Sequence, residues 1–138
     1  MVSTNTVFDA FIQAHRWAVL THLKRGGAPA SSVVAYAVEG GSIVVSTPGK
    51  TFKRQAMERD PRVNLCVINN QEPFNFVSIE GVVTIETEYL EDSTRRVFEN
   101  IEAVGYALPE NLGQWLKASE RVILRIAPKH FHGVIRSS

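Results

Sequence analysis

The chain has 138 residues, of which 44% are hydrophobic and 21% charged, and its formal net charge is +1. These values predict one soluble globular domain, spanning residues 1–138, with enough chain to bury a core. The balanced charge provides no broad basic field for nucleic acid and no acidic tail for a basic partner, so a small-molecule ligand is favoured.

A single cysteine, Cys66, lies inside an apolar run at residues 63–68. We interpret it as a buried structural thiol, because one cysteine forms neither a disulfide frame nor a CxxC pair. No apolar run approaches the length that spans a membrane, and the first residues lack the basic and apolar regions of a signal peptide. We therefore expect a cytoplasmic protein without a membrane partner.

The first half of the chain predicts one helix followed by three strands. Apolar residues spaced three to four apart indicate the helix, which Asn5 or Thr6 would cap. Glycine-rich turns separate the strands, so we expect an antiparallel meander. The helix is predicted at residues 7–15, the strands at 17–23, 31–38 and 43–47, and the turns at 24–28 and 39–41.

The middle of the chain predicts a short amphipathic helix between two strands. This helix, residues 51–59, ends before Asp60-Pro61, because the residue that precedes a proline is pushed away from helical backbone angles. A long strand further on contains Gly81, which suggests a bend, a bulge or a close backbone approach. The strands are predicted at residues 63–69 and 76–87, with a turn at 70–73.

The last third predicts two peripheral helices and two strands. Val97 and Ile101 would point inward from the first helix, and Trp115 would lie on the inward stripe of the second. The helices are predicted at residues 91–102 and 110–117, and the strands at 122–127 and 131–135, joined at Pro128.

Seven short strands with inserted helices favour a mainly β fold, a small closed or nearly closed antiparallel barrel with peripheral helices. Such a barrel fills its interior with its own side chains, so a ligand larger than a metabolite must bind outside it. A groove shared with a second subunit is the usual solution, and we expect a homodimer.

The loop before the middle helix has the composition of an anion site. Hydroxyls, backbone N–H groups and a cation meet there at a helix N-terminus, as a phosphate group requires. Gly49-Lys50-Thr51 matches the end of a P-loop, but Val44 stands where that motif needs a glycine. The loop residues are Ser46, Thr47, Gly49, Lys50 and Thr51.

A simpler interpretation of the loop stays open. Lys50, Lys53 and Arg54 would form a solvated face, and Thr51 would only cap the helix.

Other chemistry has little support in the sequence. Ser31 and Ser32 lack the context of a nucleophilic serine, so we predict no catalytic side chain. His130 and His132 have a spacing that can share a metal, but no third ligand follows, and we predict pocket lining and no metal site. Single-stranded nucleic acid would need an aromatic platform in a basic groove, which the chain does not offer.

The order of these elements resembles the pyridoxamine 5′-phosphate oxidase-like split-barrel flavoproteins. The resemblance covers about residues 15–135 and is strongest to short bacterial members that bind FMN or the deazaflavin coenzyme F420. The short sequence motifs that carry the resemblance are Val19-Leu20-Thr21, Gly27-x-Pro29-x-Ser31 with Val33, Ser46-Thr47, Lys53 seven residues before Asp60-Pro61-Arg62-Val63, and Glu80-Gly81.

The resemblance implies a cofactor site built from three parts of the chain. The backbone of the second strand would lie along the flavin ring, the loop and helix start would hold the phosphate, and a second subunit would complete the pocket. In the same order, the residues are Val33, Val34 and Ala35; Ser46, Thr47, Lys50, Thr51 and Lys53; and Asn75, Phe76 and His132.

The resemblance also implies an oxidoreductase that moves a hydride between FMN or F420 and a small unsaturated substrate, with the cofactor supplying the chemistry. The substrate-binding arginine-histidine pair of the vitamin B6 oxidases has no counterpart that we can place, so that exact activity is not expected. Lysines at positions 50 and 53 suit the phosphate of either cofactor, because lysine acts as a mobile point charge. The alternative is a non-catalytic flavin or haem carrier, since a related branch binds haem through a C-terminal histidine.

Overall fold

Seven antiparallel strands form one curled sheet with peripheral helices in the computed structural model, which describes residues 1–69, 71 and 74–136. The helices are α1 (Thr6–Ala14), α2 (Phe52–Arg59), α3 (Glu91–Ile101) and α4 (Leu112–Ala118), and a 3₁₀ turn covers Glu102–Val104. The strands are β1 (Trp17–Leu23), β2 (Pro29–Ala35), β3 (Ala37–Glu39), β4 (Ser42–Pro48), β5 (Arg62–Ile68), β6 (Phe76–Glu86) and β7 (Arg121–Val134).

The sheet has the order β2-β1-β5-β6-β7-β4-β3, so its two end strands are consecutive in the chain. Only Tyr36 separates β2 from β3, and the sheet must therefore curl until its ends approach each other. The result is a half-barrel, and the predicted mainly β class with peripheral helices is confirmed.

The core has two parts on opposite sides of the sheet. The inner cluster fills the half-barrel with strand side chains such as Leu20, Leu65 and Ile79, closed by α1 and by Met57 of α2. An outer cluster lies beneath α3 and α4, where the helices cover β3 and β4. Val97 and Ile101 are buried, as the helical spacing predicts.

The helix starts follow the predicted capping chemistry. The Asn5 side chain accepts hydrogen bonds from the backbone N–H groups of Val7 and Phe8, at 3.0 and 3.1 Å. The Thr51 hydroxyl accepts from the Arg54 N–H at 3.1 Å and caps α2 in the same way.

The predicted single strand over residues 31–38 is wrong. It is interrupted at Tyr36, whose N–H donates to the Arg16 carbonyl at 3.2 Å and whose phenol donates to the Ile12 carbonyl at 2.6 Å. These hydrogen bonds hold Tyr36 in the core. The residues before it, β2, pair with β1, and the residues after it, β3, pair with β4. The strand pairings of the predicted meander are therefore present. The middle strand is divided, however, and its two parts lie at opposite ends of the sheet order.

The two predicted C-terminal strands are one strand, β7. Pro128 lies inside it, opposite Gly81, at a register shift between Glu80 and Gly81. A bulge tolerates the proline because the ladder already lacks regular hydrogen bonds there. A Cβ on Gly81 would lie 2.8 Å from the Ala127 carbonyl oxygen, so the predicted close approach at this glycine is confirmed.

The remaining strands and helices lie within two residues of their predicted bounds, and β2 begins two residues early, at Pro29. Of the predicted turn at residues 70–73, Asn70, Glu72 and Pro73 lie outside the described residues. None of the helices in the described ranges is long and apolar enough to cross a membrane.

Candidate functional site

The loop before α2 is held tightly against the turn that precedes β7. The Gly49 N–H donates to the Glu120 carbonyl at 2.7 Å, and a Cβ at this position would lie 2.4 Å from that oxygen. Only glycine allows this approach. The backbone that leads into α2 is therefore fixed before any ligand binds.

Both cations that flank this loop on its outer side already have partners. Lys50 Nζ lies 3.2 Å from Glu120 Oε2, and Arg54 Nε donates to Glu58 Oε1 at 2.9 Å. A cavity of about 750 Å³ opens beside them, with the Phe52 side chain 89% exposed at its margin. The cavity is lined by Gly49, Lys50, Thr51, Phe52, Arg54, Gln55 and Glu58.

Lys53 does not line this cavity and has a different environment. Its side chain is half-buried, and burial lowers the pKa of its ammonium group. Among the described residues it makes no ion pair, unlike Lys50. The structure thus separates the two lysines that the sequence analysis placed in one site.

His22 on β1 is a buried polar residue that the sequence analysis missed. It is 8% exposed, and its Nδ1 has no hydrogen-bond partner among the described residues. Burial lowers its pKa, and the positive charges of Lys53 and Lys24 lower it further. The alternation of β1 would have found it, because position 22 faces inward with Ala18 and Leu20.

Ser46 and Thr47 point to opposite faces of β4. Thr47 is buried opposite Val122 in the inner core, whereas Ser46 lies opposite Ile123 beneath the outer helices. The Ser46 hydroxyl has no hydrogen-bond partner among the described residues. One ligand group cannot contact both side chains from the same face of the sheet.

The strand predicted to lie along the ring is an edge strand. Within the described sheet β2 pairs only with β1, so its outer edge keeps unpaired backbone donors and acceptors. Val33 is 68% exposed on the outer face, Ala35 lies on that face too, and Val34 is buried. An exposed apolar side chain beside a free backbone edge suits a flat heterocycle that carries hydrogen-bonding groups.

Asn75, Phe76 and His132 lie together where β6 begins beside β7, several strands away from β2. The Phe76 and His132 rings meet edge to face with centroids 6.0 Å apart, and Asn75 Oδ1 accepts from the Arg136 N–H at 2.9 Å. The strands β1 and β5 separate β6 from β2, which at about 4.8 Å per strand is a distance of about 14 Å. Within one chain these residues are therefore not adjacent to Val33.

The outer face of the sheet, between Val33 on β2 and the group of Phe76 and His132, is not covered by a helix in the described chain. It exposes apolar side chains on several strands, including Val33, Ile68, Val82 and Val134. Cys66 also lies on this outer face, so it is half-buried and not the buried thiol that its apolar neighbours suggested. Burial still raises the pKa of the Cys66 thiol. The described residues contain no cluster of three or more His, Cys, Asp or Glu side chains that could hold a metal ion.

The family model for pyridoxamine 5′-phosphate oxidase matches residues 5–135. This chain belongs to that family, and its curled antiparallel sheet is the split barrel that the resemblance implies.

Solved structures share this fold over nearly the whole chain. A conserved hypothetical protein from Mycobacterium tuberculosis is 25% identical, with a TM-score of 0.77 over 100% of this chain and 92% of the other. An F420 reductase is 17% identical, with a TM-score of 0.73 over 91% and 95% of the two chains. A heme binding protein from Mycobacterium smegmatis is 16% identical, with a TM-score of 0.69 over 97% of this chain and 55% of the other. No curated protein sequence matches this chain.

Proposed function

We propose that the protein is an oxidoreductase that binds FMN or coenzyme F420 between two copies of the chain and transfers a hydride to or from a small unsaturated substrate. The observation that carries this proposal is the free edge of β2, with its exposed Val33, in a chain of this family. When bound, either cofactor supplies the hydride chemistry itself.

The chain offers groups that fit such a cofactor. The free backbone edge of residues 33–35 would orient the ring by hydrogen bonds, and Val33 would exclude water from one side of it. Lys53 would stabilise the phosphate, since an anion would compensate the desolvation that lowers the pKa of this lysine.

Thr51 would contribute less than the sequence analysis assumed. Its hydroxyl already caps α2, so its N–H group at the helix start is the part that stays available for an anion. Lys50 would have to leave Glu120 before its ammonium group could reach a phosphate.

A homodimer completes the proposed site. Asn75, Phe76 and His132 are too far from β2 within one chain, so a partner would have to bring its own copies to the ring. The uncovered sheet face supports this arrangement, because exposed apolar side chains on neighbouring strands mark an interaction surface. Cytoplasmic location is part of the same proposal, since a lone thiol needs no oxidising compartment.

Titration of the purified protein with FMN and, separately, with F420 tests this function. Ligand fluorescence and thermal shift would be followed in the same samples, and light scattering would give the mass. We expect saturable binding of one cofactor by a particle of about twice 15.3 kDa. Failure of both cofactors to bind would overturn the oxidoreductase proposal, and a monomer would remove the partner half of the site.

A carrier of haem or flavin is the second candidate. The side chain of His132 is exposed on β7, where it could ligate a haem iron, and a heme binding protein shares this fold. Addition of hemin with and without His132→Ala tests it. A Soret shift in the native protein that disappears in His132→Ala would favour haem, whereas the same spectrum in both would reject this role.

A further inference from the structure

A cavity of about 460 Å³ opens where α1 ends and where β1 begins beside the end of β5. Ala14, Trp17 and Ile68 give it an apolar wall, and Arg16 supplies the cationic group. The other lining residues are His15, Asn69 and Gln71. A cavity of this size and composition accommodates a small organic molecule, with its few polar groups deciding orientation.

The cavity lies next to the strand proposed to orient the ring. Trp17 is the direct cross-strand partner of Ala35, so their side chains occupy the same face at about 5 Å. Trp17 also contacts the Tyr106 ring edge to face, with centroids 5.8 Å apart. A flat molecule against Trp17 would therefore lie beside residues 33–35.

Arg16 is held in place by a set of backbone contacts. Its Nε donates to the Asn100 carbonyl at 3.1 Å, and its own carbonyl accepts from the Tyr36 N–H at 3.2 Å. The Asn100 side-chain amide in turn donates to the carbonyls of His15 and Tyr36, at 3.1 and 2.8 Å. The guanidinium is thus oriented before a ligand arrives, which reduces the entropy that binding would cost.

The charge of Arg16 has no carboxylate partner in the described part of the chain. The ion pairs found there involve Lys50, Arg54, Arg62, Arg96 and Arg125. A preorganised guanidinium at an apolar cavity is a recognition group for a carboxylate, which it binds with paired hydrogen bonds.

We propose that this cavity binds the substrate of the proposed reaction, a planar unsaturated carboxylic acid, with Trp17 against its flat face and Arg16 on its carboxylate. The inference rests on the proposed function, because only that function makes the cavity a substrate site. It narrows the substrate class from small unsaturated molecules to anionic ones.

Cinnamate and its uncharged analogue cinnamamide are suitable probes, followed by the NMR signals of the two indole N–H groups, Trp17 and Trp115. Cinnamate should shift the Trp17 signal and leave Trp115 unchanged. Cinnamamide should bind at least about tenfold more weakly, because it lacks the charge-assisted hydrogen bonds. Equal affinity for both probes, no binding, or a shift confined to Trp115 would each overturn the inference.

Variants of Arg16 test whether this side chain causes the preference for cinnamate over cinnamamide. Arg16→Gln should abolish the preference for cinnamate, Arg16→Lys should keep part of it, and Arg25→Gln, in an exposed turn, should leave it unchanged. A preference that survives in Arg16→Gln would show that another group reads the carboxylate. The probe comparison on the native protein stands even if Arg16→Gln fails to fold.

Parallel titration with FMN and F420 separates this inference from the proposed function. Cofactor binding without cinnamate binding at Trp17 would overturn the substrate site and leave the oxidoreductase standing. Cinnamate binding at Trp17 in a protein that binds neither cofactor would support an acid-binding cavity and overturn the oxidoreductase.

Discussion

Two charged regions of the molecule differ in how completely their polar groups are paired. In the Arg125 cluster, formed by Arg125, Glu39, Glu86 and Ser93, the guanidinium lies 2.9 Å from Glu86 and 2.8 Å from Glu39. In contrast, among the described residues the buried His22 Nδ1 has no hydrogen-bond partner, and the half-buried Lys53 makes no ion pair. A buried group that is satisfied stabilises the fold, whereas an unsatisfied one is a cost that a ligand can remove.

The pKa values of the two regions express the same difference. Burial alone would raise the pKa of Glu39, but hydrogen bonds from Arg125 and Ser93 bring it below its usual value. The Glu86 and Glu39 carboxylates raise the pKa of Arg125. For His22 and Lys53 burial lowers the pKa, since no nearby anion compensates the lost hydration.

The largest expected effect is on stability, at the Arg125 cluster. Arg125→Met leaves the partly buried Glu86 carboxylate without an ion-pair partner and Glu39 with Arg96 alone, and we expect it to lower the free energy of unfolding by about 2–4 kcal/mol. Urea denaturation measures this loss. Arg95→Met on the exposed side of α3 is the control, with an expected change below about 0.5 kcal/mol. Equal losses in the two variants would show that the cluster adds no stability of its own.

The next effect is on binding, at Lys53. Lys53→Met removes the charge but keeps the apolar stem, so cofactor affinity should fall by about tenfold to a hundredfold. The melting temperature of the cofactor-free protein should not fall, because the variant removes a desolvated charge. Lys117→Met on the exposed face of α4 provides the matched control for fluorescence titration. Unchanged affinity in Lys53→Met would show that Lys53 belongs to a solvated surface and does not contribute to cofactor binding.

His22 should make stability depend on pH. Its folded pKa lies below the unfolded value of 6.5, so the folded state is at full stability above pH 6.5 and loses stability as the pH falls further. The slope should not exceed about 1.4 kcal/mol per pH unit. His22→Leu should be less sensitive between pH 6.5 and 5 in the same urea experiment. If the native protein and His22→Leu have identical pH profiles, the pKa of His22 does not differ between the folded and unfolded states.

The smallest effect is expected at Lys50. Its ion pair with Glu120 is exposed and contributes little, so Lys50→Met should change the free energy of unfolding by less than about 0.5 kcal/mol. Cofactor affinity should change less than in Lys53→Met, which isothermal titration can compare directly. A larger loss in Lys50→Met would reverse the order of the two lysines and indicate that Lys50 leaves Glu120 on binding.

Local patterns predicted the elements but not all of their boundaries. Period-two alternation located β6, and the Asp60-Pro61 stop located the end of α2. The apolar run of residues 33–38 continues past Tyr36, so nothing local shows that the strand is interrupted there. That break depends on Arg16, Ile12 and Asn100, which are distant in the chain.

The candidate site shows the same division. The loop before α2 could be proposed as an anion site from Gly49, Lys50 and Thr51, because the chemistry that such a proposal needs is local to a helix start. The ion pair between Lys50 and Glu120, and the effect of the Lys53 charge on the pKa of His22, could not be predicted, since these interactions join different elements.

The sequence by itself determined the class of fold, the family and the composition of the loop at α2, because hydrophobic period and turn chemistry act over a few residues. Only the tertiary structure decided the strand order, the free edge of β2, and which cations are paired. These depend on how distant strands meet, and a one-residue interruption at Tyr36 sends β2 and β3 to opposite ends of the sheet.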